Sequence, residues 1–557
     1  MSSRRVSRKT LWATTAILTI LLSVPVHAAD YYFDRIGGLD TNPCTISLPC
    51  KTTGKINSTL STAVAGDRIL LKGGVKWSGR LTINGRSGTA SAPISITTYG
   101  TGKARLQNKN GHGIYVYNSG GISISNMIVE GAGTVTTYSN SGAVPQGIYF
   151  FNNTPNVLDY IRVSNVEIYN FKGMNAAGGS NGLVMRGGIS GGGFRDVEFT
   201  YVDAHDNLDG GIVTYSSRSC SKYDPKCVYT AHSDVLVHGC DVHHNVGTVI
   251  KSVNSGNGIV LGSVDGGVIE YSTAHHNGGQ DNPAASGGPV GIWAWNSNNV
   301  TIQYNESYAN TTASQHDGGG FDLDGGTTNS VVQYNYSHDN AGAGFLLCSW
   351  SSSVVTRNDV IRYNISENDG RRNMHGSLLL YLNPAKSTVH NNTFYISPAA
   401  GATQAAVTLY GFSGSTVRLH NNVFYTSGGV PLVRNVASTT QPTFEANAYW
   451  PSGPDDFQFI WNGATYTSYP MWRAAAGVET ANAGKSVDPL LAGVGQGGTI
   501  GDPYNFDLMT AYRIASSASV LIDKSVWVPG GDFGGQDFYG NTTPQGVKAD
   551  IGANERQ

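Results

Sequence analysis

The run Val300-Thr301-Ile302-Gln303-Tyr304-Asn305, followed by Ser307-Tyr308-Ala309-Asn310, decides the fold because close copies of it recur along the chain. Each copy is followed, after a loop of variable length, by a glycine and a short apolar strand. The glycines that begin these strands, at 211, 258, 291, 320, 344 and 376, are 47, 33, 29, 24 and 32 residues apart. The tails of the other copies are Ala204-His205-Asp206-Asn207, Val242-His243-His244-Asn245, Ala274-His275-His276-Asn277, Ser337-His338-Asp339-Asn340 and Ser366-Glu367-Asn368-Asp369.

Short strands at this spacing, with unequal loops at one corner, predict a stack of coils held together by parallel strand pairing. A propeller is the alternative, but its blades are longer and carry four hairpin-linked strands. The repeats also align two columns of residues. We predict that the asparagines form a hydrogen-bonded ladder and that the tyrosines stack along the axis. The columns are Asn207, Asn245, Asn277, Asn310 and Asn340, and Tyr271, Tyr304, Tyr334 and Tyr363.

Both ends of the chain, together with the repeat, resemble the pectate-lyase-like right-handed parallel β-helix superfamily of secreted polysaccharide-active proteins. The segments that carry the resemblance are Tyr31-Tyr32-Phe33-Asp34, Gly66-Asp67-Arg68-Ile69-Leu70-Leu71-Lys72, Asn505-Phe506-Asp507-Leu508, Asp537-Phe538-Tyr539-Gly540-Asn541 and Asp550-Ile551-Gly552-Ala553-Asn554-Glu555. The resemblance implies an all-β, right-handed parallel β-helix with N- and C-terminal capping segments. It specifies the chemistry poorly, because one fold hosts many functions.

The chain divides into four predicted parts. Residues 1–29 are typical of a cleaved signal peptide, with four cations before an apolar run and small residues at its end. We therefore expect a secreted or periplasmic protein without a membrane span after cleavage. Residues 30–110 are predicted to form the N-terminal cap and first coils, 111–450 the β-helix with the active groove, and 451–557 the C-terminal capping segment, in which 466–477 form a short helix.

Charge and composition narrow the class of partner. Loss of residues 1–29 changes the formal net charge from −2 to about −6, which argues against nucleic acid or an anionic membrane as a partner. We expect a monomer that binds a polysaccharide.

The six cysteines predict two local disulfides in an oxidising compartment. Cys44 pairs with Cys50 and Cys220 with Cys227 in this prediction, because each pair is close in sequence and lies in a loop-like stretch. Cys240 and Cys348 fall inside strand patterns and are predicted to be buried.

Alternation within the glycine-led strands identifies the face that carries chemistry. The first and third residues after each glycine are mostly apolar and must point inward. The second and fourth then face outward, which places Trp293 and Trp295 one coil away from Asp322 and Asp324. Exposed tryptophans usually mark binding, and their flat faces suit sugar rings.

The loops that precede these strands are predicted to reach the same corner and to wall a cleft. They contribute two further candidate carboxylates, Asp317 and Asp339, as alternative members of a catalytic pair. The residues predicted to bind substrate are Trp293, Trp295, His316, His338, Tyr215 and Arg371.

Glycoside hydrolysis is the first hypothesis, because it needs one carboxylic acid and one carboxylate. Asp322 and Asp324 are its leading pair, and it requires no cofactor. A polysaccharide lyase is the second hypothesis, in which Asp209, Asp322 and Asp324 would bind Ca²⁺ and a cation would remove a ring proton. A lyase pattern of the superfamily, weakly resembled here, places its catalytic lysine where Val260 stands, so Lys251 or His244 would have to replace it.

The third hypothesis is a non-catalytic carbohydrate-binding or cell-surface β-helix. Aspartates in turns rich in glycine and asparagine usually serve local turn chemistry. Asp322 and Asp324 fit this explanation badly, because both are predicted to lie in mid-strand, where aspartate is disfavoured.

Overall fold

The computed structural model describes residues 28–557, except 140–142, 218–229, 352–353, 355, 415 and 529–531. Within these residues the chain winds into a right-handed parallel β-helix, as the repeat predicts. In its regular middle part each coil contributes one strand to a 14-stranded sheet and two short strands to a bent 25-stranded sheet. We call the first the groove sheet and the second the back sheet. The predicted signal peptide falls almost wholly outside the described residues.

The groove sheet consists of Leu81–Asn84, Ile114–Tyr117, Ile148–Asn152, Asn181–Gly187, Gly210–Ser216, Asn257–Gly262, Val290–Trp295, Gly319–Leu323, Phe345–Cys348, Leu378–Tyr381, Val407–Tyr410, Val433–Val436, Phe459–Trp461 and Ala464–Tyr466. Its pairings are parallel except for the last one, between Phe459–Trp461 and Ala464–Tyr466.

The back sheet consists of Asp30–Phe33, Arg68–Lys72, Lys76–Ser78, Ile94–Tyr99, Ala104–Gln107, Ile122–Glu130, Leu158–Tyr169, Phe194–Thr200, Asp203–His205, His232–His238, Asp241–His243, Val264–Glu270, Thr273–His275, Asn298–Gln303, Glu306–Tyr308, Val331–Gln333, Tyr336–His338, Val360–Arg362, Ile365–Glu367, Thr388–His390, Thr393–Ile396, Arg418–His420, Val423–Thr426, Thr443–Glu445 and Ala448–Trp450. A small third sheet, on one wall of the groove, contains Thr136–Thr137, Gly173–Asn175 and Gly178–Gly179.

The core lies between the two sheets and is filled by the inward residues of every coil. In the groove sheet Ile259 is aligned with Ile292, and Ile292 with Phe321. All three are at most 1% exposed, so the predicted inward positions are confirmed. Because strand side chains alternate, the same register turns Trp293 and Asp322 outward.

Both predicted columns are present in the back sheet and its corners. Each ladder asparagine accepts from the preceding rung and donates to the next: the Asn310 side chain accepts from Asn277 Nδ2 at 3.0 Å and donates to Asn340 Oδ1 at 2.9 Å. The rings of Tyr271 and Tyr304 stack with their centroids 5.1 Å apart. These repeated contacts fix the register of neighbouring coils.

Two helices and a C-terminal segment close the stack. Helix Thr53–Leu60 buries Ile56 and Leu60 at the N-terminal end. Helix Tyr469–Ala476 buries Trp472 at the other end, where the sequence predicts a helix. The chain after about residue 490 includes the 3-10 helix Pro503–Leu508 and runs back across the outside of the back sheet, where Ile500 N–H donates to Glu306 at 2.7 Å.

The cysteines follow the prediction where the structure describes them. Cys44 and Cys50 form a disulfide, and Cys240 and Cys348 are buried free thiols. Cys220 and Cys227 lie outside the described residues.

No helix in the described residues is both long and apolar enough to cross a membrane.

Candidate active site

A long groove with a cavity volume of about 1250 Å³ runs along the outer face of the groove sheet. Its floor is built from the outward positions, where Val260 is aligned with Trp293, Trp293 with Asp322, and Asp322 with Leu346. Loops that connect the back sheet to the groove sheet form its walls. The predicted outward face is therefore a concave site, as sugar-binding proteins require.

Three carboxyl groups meet in the middle of this groove: Asp317, Asp322 and Asp324. Asp322 lies on the floor and is 3% exposed, whereas Asp317 and Asp324 are half-buried. Asp317 is on the wall loop just before strand Gly319–Leu323, and Asp324 directly follows that strand. The two accessible carboxyls thus flank, along the chain, the strand that carries the buried one.

Burial raises the pKa of all three carboxyls, and repulsion from neighbouring carboxylates adds to it. Removal from water, with the charges of Asp324 and Asp317 nearby, raises the pKa of Asp322 well above its usual range. Burial raises the pKa of Asp324 to about 6, against the lowering effect of hydrogen bonds from Gly325 N–H and Cys348. Burial also raises the pKa of Asp317, which the N–H of Gly288 opposes. In the described part of the chain no lysine or arginine contributes to these shifts.

The wall loop that carries Asp317 is held by a buried carboxylate on the previous coil. Asp281 is fully buried and accepts from Ala313 N–H at 2.7 Å and from Thr312 Oγ1 at 2.9 Å. Asp317 itself has a left-handed backbone, with φ of 46°, and accepts from Gly288 N–H at 2.8 Å. These contacts fix the carboxyl at the groove rather than leave it on a free loop.

The predicted tryptophans line the groove in two different ways. Trp293 is 5% exposed and its Nε1 donates to Asn257 at 3.1 Å, so it mainly shapes the floor. Trp295 is half-buried and lies over Gly262, where a side chain would collide with the indole. Trp295 therefore has a face available for a sugar ring.

Trp350 is a groove residue that the sequence analysis missed. It is 52% exposed and its indole lies over Gly325, next to Asp324. It continues the outward alternation of Leu346 and Cys348 beyond the end of their strand, and this spacing is the signal that would have identified it. Asn373 and His375, on the loop before strand Leu378–Tyr381, also line the groove and carry no such signal.

One end of the groove is aromatic and contains the predicted Tyr215. The Arg186 guanidinium donates to Ser217 Oγ at 2.7 Å and to Tyr149 Oη at 3.3 Å. It also packs over the ring of Tyr215, 5.7 Å from its centroid. Tyr215 is three coils from Asp322, Arg186 four and Tyr149 five. At about 4.8 Å a coil, the groove has room for several sugar units.

Asp339, His338 and Arg371 do not line the groove, and their prediction as site residues is corrected here. His338 ends a back-sheet strand, where its Nε2 lies 3.2 Å from Glu306 and its Nδ1 lies 3.0 Å from Asp339. Asp339 has a φ of 55° and turns the chain at the outer corner. Arg371 donates to Ser397 O at 2.8 Å. His316 does line the groove.

The paired histidines also lie at the back-sheet corner rather than in the groove. His205, His243 and His275 stack in a column with centroids 4.8 and 4.9 Å apart. The Nδ1 atoms of His243 and His244 are 2.8 Å apart. His244 is therefore not placed to act as a lyase base.

The residues predicted to bind Ca²⁺ in a lyase are not brought together. Asp209 lines the groove three coils from Asp322 and accepts from Lys251 Nζ at 2.8 and 3.0 Å. Lys251 is thereby held as an ion-pair partner instead of a free base. Within the described ranges, no group of three or more histidine, cysteine, aspartate or glutamate side chains is arranged to hold a metal ion.

The comparisons with known proteins agree with the fold. A family model described as right handed beta helix region matches residues 187–394. The lacto-N-biosidase of Bifidobacterium longum subsp. longum is 25% identical over an alignment of 589 residues, which covers 83% of this chain and 35% of that protein. This chain thus spans about a third of the length of that curated relative.

Two solved structures of a GH136 lacto-N-biosidase from Eubacterium ramulus share the architecture. The selenomethionine derivative is 20% identical and the native protein 19%, each with a TM-score of 0.54. Each match covers 75% of this chain and 67% of the other. These similarities confirm the predicted resemblance to right-handed parallel β-helix proteins.

Proposed function

We propose that this protein is an exported glycoside hydrolase whose accessible carboxyls, Asp317 and Asp324, cleave a glycosidic bond in the groove. The observation that carries the proposal is that three carboxyls meet between aromatic side chains, with no lysine or arginine of the described residues among the causes of their pKa shifts. Glycoside hydrolysis uses two carboxyl groups in opposite protonation states, and a crowded, partly dehydrated site separates their pKa values.

Exposure favours Asp317 and Asp324 over the pair that the sequence places first, Asp322 and Asp324. A catalytic carboxyl must reach the glycosidic oxygen or the anomeric carbon, and Asp322 is only 3% exposed. Burial and the nearby charges of Asp324 and Asp317 raise the pKa of Asp322 well above its usual range, which favours its neutral form.

The surroundings assign different roles to the two accessible groups. Asp324, with a pKa of about 6, holds its proton in mildly acidic solution and donates it to the leaving oxygen. Burial raises the pKa of Asp317, but the N–H of Gly288 and the charge of His316 oppose that rise and favour its ionised form. Its carboxylate then serves as the nucleophile, or as the base that activates water.

Three further observations support an exported carbohydrate-active enzyme. The relative from Bifidobacterium longum is a lacto-N-biosidase, which suggests oligosaccharides ending in lacto-N-biose as the first substrates to test. The disulfide between Cys44 and Cys50 fits an oxidising compartment. The predicted signal peptide provides the route of export.

The test is a hydrolysis screen of the purified chain against p-nitrophenyl glycosides, including the β-lacto-N-bioside, and against neutral and uronate polysaccharides. We expect nitrophenol or new reducing ends, without the ultraviolet band of an unsaturated uronate and without inhibition by EDTA. Asp324→Asn removes the activity, whereas Asp339→Asn, at the outer corner, retains it. Reducing ends that appear with the band and disappear with EDTA would contradict the proposal and favour a lyase.

A further inference from the structure

Three residues that line the groove each have a buried polar atom without a hydrogen-bond partner among the described residues. They are Oδ1 of Asp322, Nδ2 of Asn373 and Nδ1 of His375. Asp322 is 3% exposed and Asn373 is 6% exposed, and His375 is half-buried. Unpaired buried polar groups are rare because each one costs free energy. A group of them in one cavity indicates a ligand that pairs them.

Backbone contacts connect the loop that carries Asn373 and His375 to the wall of the groove near Asp317. The loop with Asn373 and His375 follows the back-sheet strand Ile365–Glu367, and its backbone pairs with the wall in front of it. Arg372 N–H donates to Ala341 O at 2.9 Å, and Gly342 N–H donates to Gly318 O at 2.9 Å, next to Asp317. His375 also shares a small side cavity with Asp317 and Leu346.

Burial favours the neutral form of both titratable groups among the three, Asp322 and His375. Burial, with the charge of His316 as a smaller contribution, lowers the pKa of His375 to about 4, so the imidazole is neutral and offers one donor and one acceptor. The raised pKa of Asp322 favours its neutral form, and Asn373 can donate from its amide. Arg372 also lines the groove, but its guanidinium donates to the main-chain oxygen of Thr312.

We propose that Asn373 and His375 bind the hydroxyl or acetamido groups of an uncharged sugar ring at the cleavage point. A mixed set of donors and acceptors matches such groups, which both donate and accept. A uronate carboxylate at this point would approach the carboxylate of Asp317 and be repelled. The inference rests on the proposed function for its catalytic consequence, whereas the binding of sugar stands independently of it.

The experiment combines stability, turnover and binding for Asn373→Ala and His375→Ala. Because Asn373 Nδ2 and His375 Nδ1 have no hydrogen-bond partner among the described residues, their loss breaks no such bond, and both variants should unfold close to the wild-type temperature. Both lose about 10- to 100-fold in kcat/KM on the p-nitrophenyl glycoside that the wild type hydrolyses, the range expected when a substrate group is left unpaired. Asn373→Asp, which keeps the shape but replaces the donor, shows a similar loss.

Thr426→Val is the matched control. Thr426 lies on the back sheet, away from the groove, and its buried Oγ1 also has no hydrogen-bond partner in the described part of the chain. This variant leaves kcat/KM unchanged. Saturation-transfer NMR with N-acetylglucosamine, galactose and glucuronate then separates this inference from the hydrolase proposal. Binding of either neutral sugar in preference to glucuronate, lost in both alanine variants, supports the inference even if no glycoside is hydrolysed. Unchanged hydrolysis or binding in these variants, or equal binding of glucuronate, would overturn it.

Discussion

The contact between His338 and Glu306 predicts that the protein loses stability as the pH rises from about 6.5 to about 9. His338 is 1% exposed and lies between the carboxylates of Glu306 and Asp339. Burial lowers the pKa of this imidazole, but the hydrogen bonds and charges of the two carboxylates outweigh it and raise the pKa from 6.5 to about 9. The folded state therefore binds a proton that the unfolded chain releases.

The size of the effect follows from linkage between protonation and folding. A rise from 6.5 to about 9, at about 1.36 kcal/mol per pH unit, contributes about 3 kcal/mol to the free energy of unfolding. This contribution is complete below the unfolded pKa and is lost as the pH rises through the folded pKa. The C-terminal segment should be affected most directly, because Ile500 and Gly501 donate to the same Glu306 carboxylate.

The assay is urea unfolding at about pH 6 and about pH 9.5, followed by tryptophan fluorescence. Wild type should lose about 3 kcal/mol between the two conditions, and His338→Gln should lose much less while being less stable at the lower pH. His420→Gln is the control, because burial lowers the pKa of His420 to about 4 and keeps it neutral at both pH values. The same pH-dependent loss in wild type and His338→Gln would refute the reasoning.

Three further predictions concern the ladder, the groove and the pH of catalysis. Asn310→Ala should lower the free energy of unfolding by about 3 kcal/mol in urea titrations, because it leaves buried ladder partners unpaired. Alanine at the exposed Asn329 should cost less than about 1 kcal/mol. Equal losses in the two variants would contradict the ladder's role. Gly325→Ala should displace the Trp350 indole and raise KM about as much as Trp350→Ala does, with little change in the unfolding temperature, and an unchanged KM would count against that sugar platform. Activity should fall as the pH rises through about 6, where Asp324 loses its proton, and a rate that keeps rising to pH 8 would exclude Asp324 as the acid.

The repeat made the fold predictable because it records contacts between neighbouring coils. An asparagine whose side chain bonds to the equivalent asparagine on the next coil recurs in successive coils, as Asn277 and Asn310 do. The alternation of strand side chains is equally local, and it correctly turned Trp293 and Asp322 toward one face. The sequence pattern alone was sufficient to predict the asparagine ladder and the outward face of the groove sheet.

The errors arose where the path of the chain around a corner decides the neighbours. His338 and Asp317 both lie shortly before glycine-led strands in the sequence. His338, however, ends a back-sheet strand, and the chain turns only after it, at Asp339, which has a left-handed backbone. Asn373 and His375 belong to a loop without a repeat, and only packing against the coils before it brings them to the groove. No local pattern records such contacts.

The most direct test of the central claim compares kcat/KM for Asp317→Asn, Asp322→Asn and Asp324→Asn on the same glycoside. Asparagine keeps the shape of each side chain and removes its capacity to exchange a proton. We predict losses of at least about 100- to 10,000-fold for Asp317→Asn and Asp324→Asn. We predict a loss within about tenfold for Asp322→Asn, because Asp322 is buried and its raised pKa favours the neutral form. A severe loss in Asp322→Asn beside a mild one in Asp317→Asn would contradict this assignment.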